Sequence, residues 1–228
     1  MKSWKLQLKG VPCFIIGYGP SLLDQPVGSL GEYFTIGINR SFRKLDTTIL
    51  IWQDIELWIT ERKLLSKLKA IKYARNVADP EKIAYHFKLV PGAYRLPADP
   101  SVLYGRGSTG PLAYQLAFSL GCDPIIFLGY DCAYKDGLTD FWGKNRFHKP
   151  HTLRNCSRGL QWLKTMNDKH VKGTIINCSD NEALGPKISL FDAIKQVKGK
   201  YAGTGREYFS NRLFGITCSE SDDKPNKK

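Results

Sequence analysis

The chain has 228 residues, 42% hydrophobic, 12% aromatic and 24% charged, which is the composition of a folded globular protein and excludes a collagenous or low-complexity chain. No run approaches the roughly 18 apolar residues of a membrane-spanning helix, and Met1-Lys2-Ser3-Trp4-Lys5 lacks the apolar stretch of a secretory signal, so a cytoplasmic protein without a membrane span is expected. The 34 Lys+Arg against 21 Asp+Glu give +13, which favours an anionic partner: nucleotide, phosphorylated glycan, nucleic acid or membrane surface.

In chain order, short and nearly all-apolar runs predict strands at residues 13–16, 34–38, 48–52, 125–128 and 174–177. Runs of that kind are what strands covered on both faces look like. Amphipathic spacing predicts helices at residues 55–71, 109–120 and 152–166. The alternation predicts βαβ units, hence a single α/β, Rossmann-like domain over residues 1–218, with a mostly parallel sheet and helices on both faces. Residues 90–107, with three prolines and three glycines, read as an irregular binding loop. Residues 219–228 have the composition of a disordered tail. The six cysteines, Cys13, Cys122, Cys132, Cys156, Cys178 and Cys218, form no Cys-x-x-Cys pair. Neither a zinc site nor a disulfide framework is therefore expected, and most should be small buried apolar residues.

Candidate chemistry gathers at the predicted strand ends. Gly17-Tyr18-Gly19-Pro20-Ser21-Leu22 follows the first strand, where glycines let the backbone approach a phosphate and Pro20 suits the first turn of a helix. The third glycine of the dinucleotide fingerprint is missing, and a ligand-free turn is the alternative. Asn39 ends the second strand, where its amide can meet a sugar hydroxyl or cap the next element. Gln53 and Asp54 end the third, Asp54 being either an N-cap or a metal ligand. Ser108, Thr109 and Gly110 open a helix, as an anion site or as ordinary caps. Asp131 and Tyr134 follow the fourth strand. Residues 144–172 carry eight Lys+Arg against one Asp, and three of the four histidines. His151 directly precedes a predicted helix, whose macrodipole disfavours imidazolium, so it is a candidate base, with a surface or capping role as the alternative.

In that order, Ile16-Gly17-Tyr18-Gly19-Pro20-Ser21-Leu22, Gly37-Ile38-Asn39-Arg40, Ser108-Thr109-Gly110 and Leu128-Gly129-Tyr130-Asp131 resemble the bacterial sialyltransferases that decorate lipooligosaccharide. His151, eight residues before Gly159-Leu160-Gln161-Trp162-Leu163, is similar to that family's catalytic histidine and the apolar helix motif after it. The run from Gly129 to Gly137 also resembles the motility accessory factor family and its relative hydroxymethylpterin diphosphokinase. The resemblance implies a nucleotide-binding fold, with Gly17, Gly19 and Ser21 against the donor phosphate and Asn39 and Thr109 on nucleotide or sugar. It implies His151 as general base of an inverting transfer. The pattern departs at Gln53, where that family has asparagine, and at Tyr134, one residue further from Asp131 than the family tyrosine.

The expected activity is therefore that of a glycosyltransferase moving a sugar from a nucleotide-sugar donor to an acceptor hydroxyl. Arg146, Lys149 and Arg154 would raise the local concentration of an anionic acceptor, either a phosphorylated glycan or modified nucleic acid. No cofactor is required in this reading, with magnesium on Asp54, Asp131 and Asp136 as the alternative. The rival functions are an ATP and magnesium-dependent diphosphoryl transferase, and a non-catalytic nucleic-acid-binding protein using aromatics such as Trp142 and Phe147 among basic residues.

Overall fold

Eight short strands among the described residues organise the molecule, the central ones apolar enough to be buried on both faces. The computed structural model describes residues 4–92, 95–105, 108–141, 143, 150–199 and 205–214. The strands are β1 (Cys13–Ile16), β2 (Phe34–Ile38), β3 (Ile49–Trp52), β4 (Ile71–Arg75), β5 (Tyr85–Val90), β6 (Val102–Tyr104), β7 (Ile125–Leu128) and β8 (Ile175–Asn177). They form one sheet in the order β6-β5-β4-β3-β2-β1-β7-β8, and each neighbouring pair runs parallel. The α/β, Rossmann-like architecture expected from the alternation is the one observed.

Alternate residues of each strand point to opposite faces, and both faces are covered. Cys13, Ile15, Phe34, Ile36, Ile125 and Phe127 pack under α2 (Thr109–Leu120), α3 (Pro150–Met166) and α5 (Gly205–Phe214). Phe14, Ile16, Ile126 and Leu128 face the other way, against Leu22, Val27, Leu30 and α4 (Leu190–Val197). Leu50 and Trp52 meet α1 (Ile55–Leu65) on that same second face. Every residue of α2 except Phe118 is buried, because the sheet lies under it and α3 beside it. The chain near the N-terminus closes its far end: the amides of Leu6, Leu8 and Gly10 donate to the carbonyls of Ser119, Leu120 and Gly121 at 2.9, 2.8 and 2.8 Å. Those are carbonyls that a helix end otherwise leaves without partners.

The predicted and observed elements differ where a strand lies toward the sheet's edge. The helix expected over 55–71 stops at Leu65, and Ile71 instead opens β4, pairing with Ile49 of β3. Apolar residues at 64, 65, 68 and 71 continue a helical spacing by coincidence, whereas Ile71 and Tyr73 are the inward positions of a strand. β5 has only Phe87 buried, so its half-polar sequence gave no all-apolar run. The irregular stretch expected over 90–107 is interrupted by β6. Three ends shift slightly: β3 starts at Ile49, β8 at Ile175 and α3 at Pro150, within the usual ambiguity of element boundaries. The tail expected over 219–228 lies outside the described residues.

Since α2 is the element that the sheet and α3 both bury, truncating it should be costly. Leu116→Ala, at a fully buried position, should lower unfolding free energy by about 2–5 kcal/mol. Leu23→Ala, at 46% exposure, should change it by no more than about 0.5 kcal/mol. Urea denaturation of the two variants measures both.

Candidate functional site

β1 and β7 are neighbours in register, Ile16 beside Leu128, yet the chain leaves β1 toward β2 on one side and β7 toward β8 on the other. Their carboxyl ends thus form the switch point at which doubly wound sheets present a crevice. There the two strand-end turns touch. Gly17 N donates to Leu128 O at 2.7 Å and Gly19 N to Gly129 O at 2.8 Å. A Cβ on Gly17 would stand 2.2 Å from the Gly129 carbonyl oxygen, and one on Gly19 2.5 Å from an Asp131 carboxylate oxygen. These positions are glycine because one turn lies on the other.

Asp131 completes the contact. Its buried carboxylate accepts from Ser21 N at 2.7 Å, from Ser21 Oγ, and from Asp180 N at 3.2 Å. Pro20 opens a short 3-10 helix, Pro20–Asp24, so Ser21 N is one of the free amides of a helix start. The amides of Gly17, Gly19 and Ser21 therefore all have acceptors within the chain, and the anion seated among them is Asp131.

A second polar layer lies at the start of α2. Ser108 occupies the N-cap position, but its side chain makes no capping bond. Gln53, buried at the end of β3, does that work. With its amide turned so that Oε1 faces the helix, it accepts from Ser108 N at 3.2 Å, Thr109 N at 3.0 Å and Thr109 Oγ1 at 3.2 Å. Thr109 Oγ1 also lies 3.4 Å from Asn39 Oδ1. Asn39 itself holds a left-handed backbone, φ 49°, a conformation asparagine tolerates better than most residues. Its side chain hydrogen-bonds the Tyr18 phenol. Burial first, and then the nearby Cys156 and Asp140, push that phenol well above the ordinary tyrosine range, against the pull of the Asn39 bond. Tyr18 is accordingly a neutral hydrogen-bonding group at physiological pH.

In front of these layers opens a cleft of about 480 Å³ including its solvent-facing mouth. Gly19, Ser108, Gly110, Tyr18, Tyr130 and Cys132 line one part, and Leu153, Cys156 and Leu160 of α3 line another. Gly110 is required by packing: a Cβ there would stand 2.6 Å from Cε1 of Tyr130. Tyr130 is 5% exposed, and burial pushes its phenol well up. Its hydroxyl has no hydrogen-bond partner among the described residues. Among the described residues Cys156 is the one thiol pulled down: a hydrogen bond from the Cys132 thiol lowers it, burial opposes, and a second bond with Ser108 assists.

Of the residues singled out in the sequence, Gly19, Ser108 and Gly110 line the cleft directly. Gly17, Ser21, Asn39, Gln53, Thr109 and Asp131 form the hydrogen-bonded shell beneath it. Tyr134 does not join them; it is 56% exposed and absent from the lining. His151 is the second residue of α3, inside the first turn rather than before it. Its imidazole, like His148, Arg146, Lys149, Trp142 and Phe147, lies outside the described residues. Asp54 stands at the N-cap position of α1 without a side-chain capping bond, and burial, with Glu56 next, raises its carboxyl against Arg75. Asp136 is exposed. Among the described residues no group of three or more potential ligands is placed to hold a metal ion, so Asp54, Asp131 and Asp136 do not form the magnesium cluster considered from the sequence. The sequence reading weighed the Tyr130 phenol with core packing as its alternative, but passed over Tyr18, Cys132 and Cys156 as chemistry, since no spacing joins a strand-end turn to the second turn of a helix.

No protein-family model matches the chain, and no curated protein does. Among solved structures it is similar to the MAf glycosyltransferase from Magnetospirillum magneticum, with a TM-score of 0.50 and 16% identity over 93% of this chain. The likeness is one of fold. This chain spans 43% of that protein's length.

The junction of the two turns should be energetically central. Asp131→Ala removes the acceptor of two amides and one hydroxyl in a buried place, and should cost about 2–4 kcal/mol of stability. Asp24→Ala, whose carboxylate is 82% exposed, should cost no more than about 0.5 kcal/mol. Equal effects in chemical denaturation would refute the role given to Asp131.

Proposed function

We propose that the protein is a glycosyltransferase that moves a sugar from a nucleotide donor to an acceptor hydroxyl. The observation that carries the reading is the cleft at the switch point between β1 and β7, opening on the start of α2. That is where a sheet of this topology takes a nucleotide. The fold likeness to a protein described as a glycosyltransferase agrees with it.

The geometry favours a donor placement different from the one implied by the sequence resemblance. Asp131 already fills the turn at Gly17, Gly19 and Ser21 with negative charge, and a phosphate beside it would be repelled. The donor phosphate is better met on the cleft side, by neutral donors such as the Tyr130 phenol, whose hydroxyl has no partner among the described residues. Gly19 and Gly110 keep that side open, while Asn39, Gln53 and Thr109 hold the start of α2 in position. Charge that develops on the departing nucleotide phosphate is stabilised by such fixed donors in a partly dry site.

His151 is proposed as the general base. α3 contributes Leu153, Cys156 and Leu160 to the cleft wall, and His151 lies in the first turn of that helix, where the macrodipole favours neutral imidazole. In an inverting transfer it would take the acceptor hydroxyl's proton as that oxygen attacks the anomeric carbon and the nucleotide leaves from the opposite side. Arg154 and Arg158 are exposed on the same helix, which suits an anionic acceptor. A sialic acid donor and a phosphorylated glycan acceptor are the finer forms of this reading.

A thermal-shift series with nucleotides and nucleotide sugars, each with and without magnesium, tests the proposal. A ligand at a hundred times its dissociation constant adds about 2.7 kcal/mol, so nucleotide sugars should raise Tm by several degrees without magnesium. A response confined to ATP with magnesium would instead support phosphoryl transfer and overturn it. His151→Ala should lower turnover by roughly 10²–10⁴ while leaving donor affinity within a few fold. His148→Ala should leave turnover nearly unchanged, and the opposite pattern would remove His151 from the base role.

A further inference from the structure

The fold brings two pairs of thiols into hydrogen-bonding contact, Cys13 with Cys122 and Cys132 with Cys156. Both pairs are free thiols, and they differ in access. Cys13 is 0% and Cys122 7% exposed, sealed beneath the sheet's first face, and burial pushes the Cys13 thiol well up. Cys132 and Cys156 are only partly buried, and both line the cleft.

The second pair is also asymmetric. Cys132 follows the β7 turn in a left-handed backbone, φ 51°. Its thiol donates to Cys156, so Cys132 is held protonated by that bond first and by burial next. Cys156 gains thiolate character from the same bond and from Ser108. One sulfur poised to attack and a second beside it that can resolve the adduct are the two parts that thiol–disulfide exchange needs.

We propose that Cys132 and Cys156 are a redox-active dithiol, converted by a small-molecule disulfide of the glutathione type into a disulfide that staples the β7 turn to α3 at the cleft wall. In the first step Cys156 Sγ attacks one sulfur of the disulfide RS–SR; a Cys156–SR bond forms, the RS–SR bond breaks and one RS⁻ leaves. Cys132 then gives up its proton and attacks Cys156 Sγ, forming the intramolecular bond and expelling the second RS⁻. Two protein thiols are oxidised, one RSSR is reduced, and the two thiol protons end on two RSH. The 23 residues between the cysteines, His151 among them, become a covalently closed loop. The inference rests on the thiols themselves and stands or falls independently of the sugar-transfer reading.

The test is oxidation of the folded full chain by oxidised glutathione, acid quenching, alkylation of remaining thiols and peptide mapping. The expected product is lighter by two hydrogens than the reduced chain, with one disulfide joining the Cys132 and Cys156 peptides. Cys13 and Cys122 should remain thiols, since contact without access does not suffice. Cys132→Ser should stall at the first step and accumulate a glutathione adduct on Cys156, and Cys156→Ser should abolish the internal bond. The wild-type map needs no variant to fold. Recovery of Cys132 and Cys156 as two alkylated thiols or two separate adducts, or a bond formed by another pair, overturns the proposal.

Discussion

The end of the sheet is tied together by one carboxylate. Asp131 comes from the turn after β7, Ser21 from the helix start after β1, and the Asp180 amide from the chain leaving β8. The Asn181 side chain adds a bond to the Asp131 carbonyl at 3.1 Å. Three strand ends that would otherwise splay are thus joined at a single buried point. Such an arrangement tolerates little: the glycines at 17 and 19 are needed for the turns to reach each other, and the anion is needed for the amides they leave pointing inward. The shape of the cleft above depends on this junction holding.

The same economy appears at α2. A helix start exposes several amides, and a serine or threonine at the first position often satisfies one of them. Here the capping group comes from the end of another strand, Gln53 directly after β3, so the cap fixes not only the helix but its distance from the sheet. Asn39 of the β2 end and the Tyr18 phenol continue that network toward β1. The cleft consequently has a rigid polar underlayer and a wall that is mostly apolar, Tyr130, Leu153 and Leu160 among it. Affinity for a ligand there would come from excluded water, and orientation from a few fixed groups.

How much of this was legible in the sequence follows from burial. β1, β2 and β7 were found end to end because strands buried on both faces leave all-apolar runs. β4 and β5 were missed because, toward the edge, Lys72, His86 and Lys88 break the apolar run, and β6 because it is only three residues long inside a stretch rich in proline and glycine. The glycines of residues 17–19 stood out, but a glycine is silent about whether a ligand or a neighbouring turn demands it; here the neighbour does. Gln53 was legible as a residue at the right edge and illegible as a cap, since capping from another strand has no sequence period. The thiol pair was equally hidden. Two cysteines 24 positions apart in the chain meet only because α3 and the turn after β7 wall the same cleft.

The attachment of the N-terminal chain to the far end of α2 has a practical side. α2 runs from the cleft to the amino edge of the sheet, 12 residues, a length of about 18 Å at the usual rise. Residues 6–10 grip that far end. A surface tether or affinity handle joined ahead of Trp4 therefore departs from the side of the molecule opposite the cleft. Protein captured on a sensor chip in that orientation presents its mouth to the flowing solution, whereas capture through side chains of α3 sets the mouth against the support.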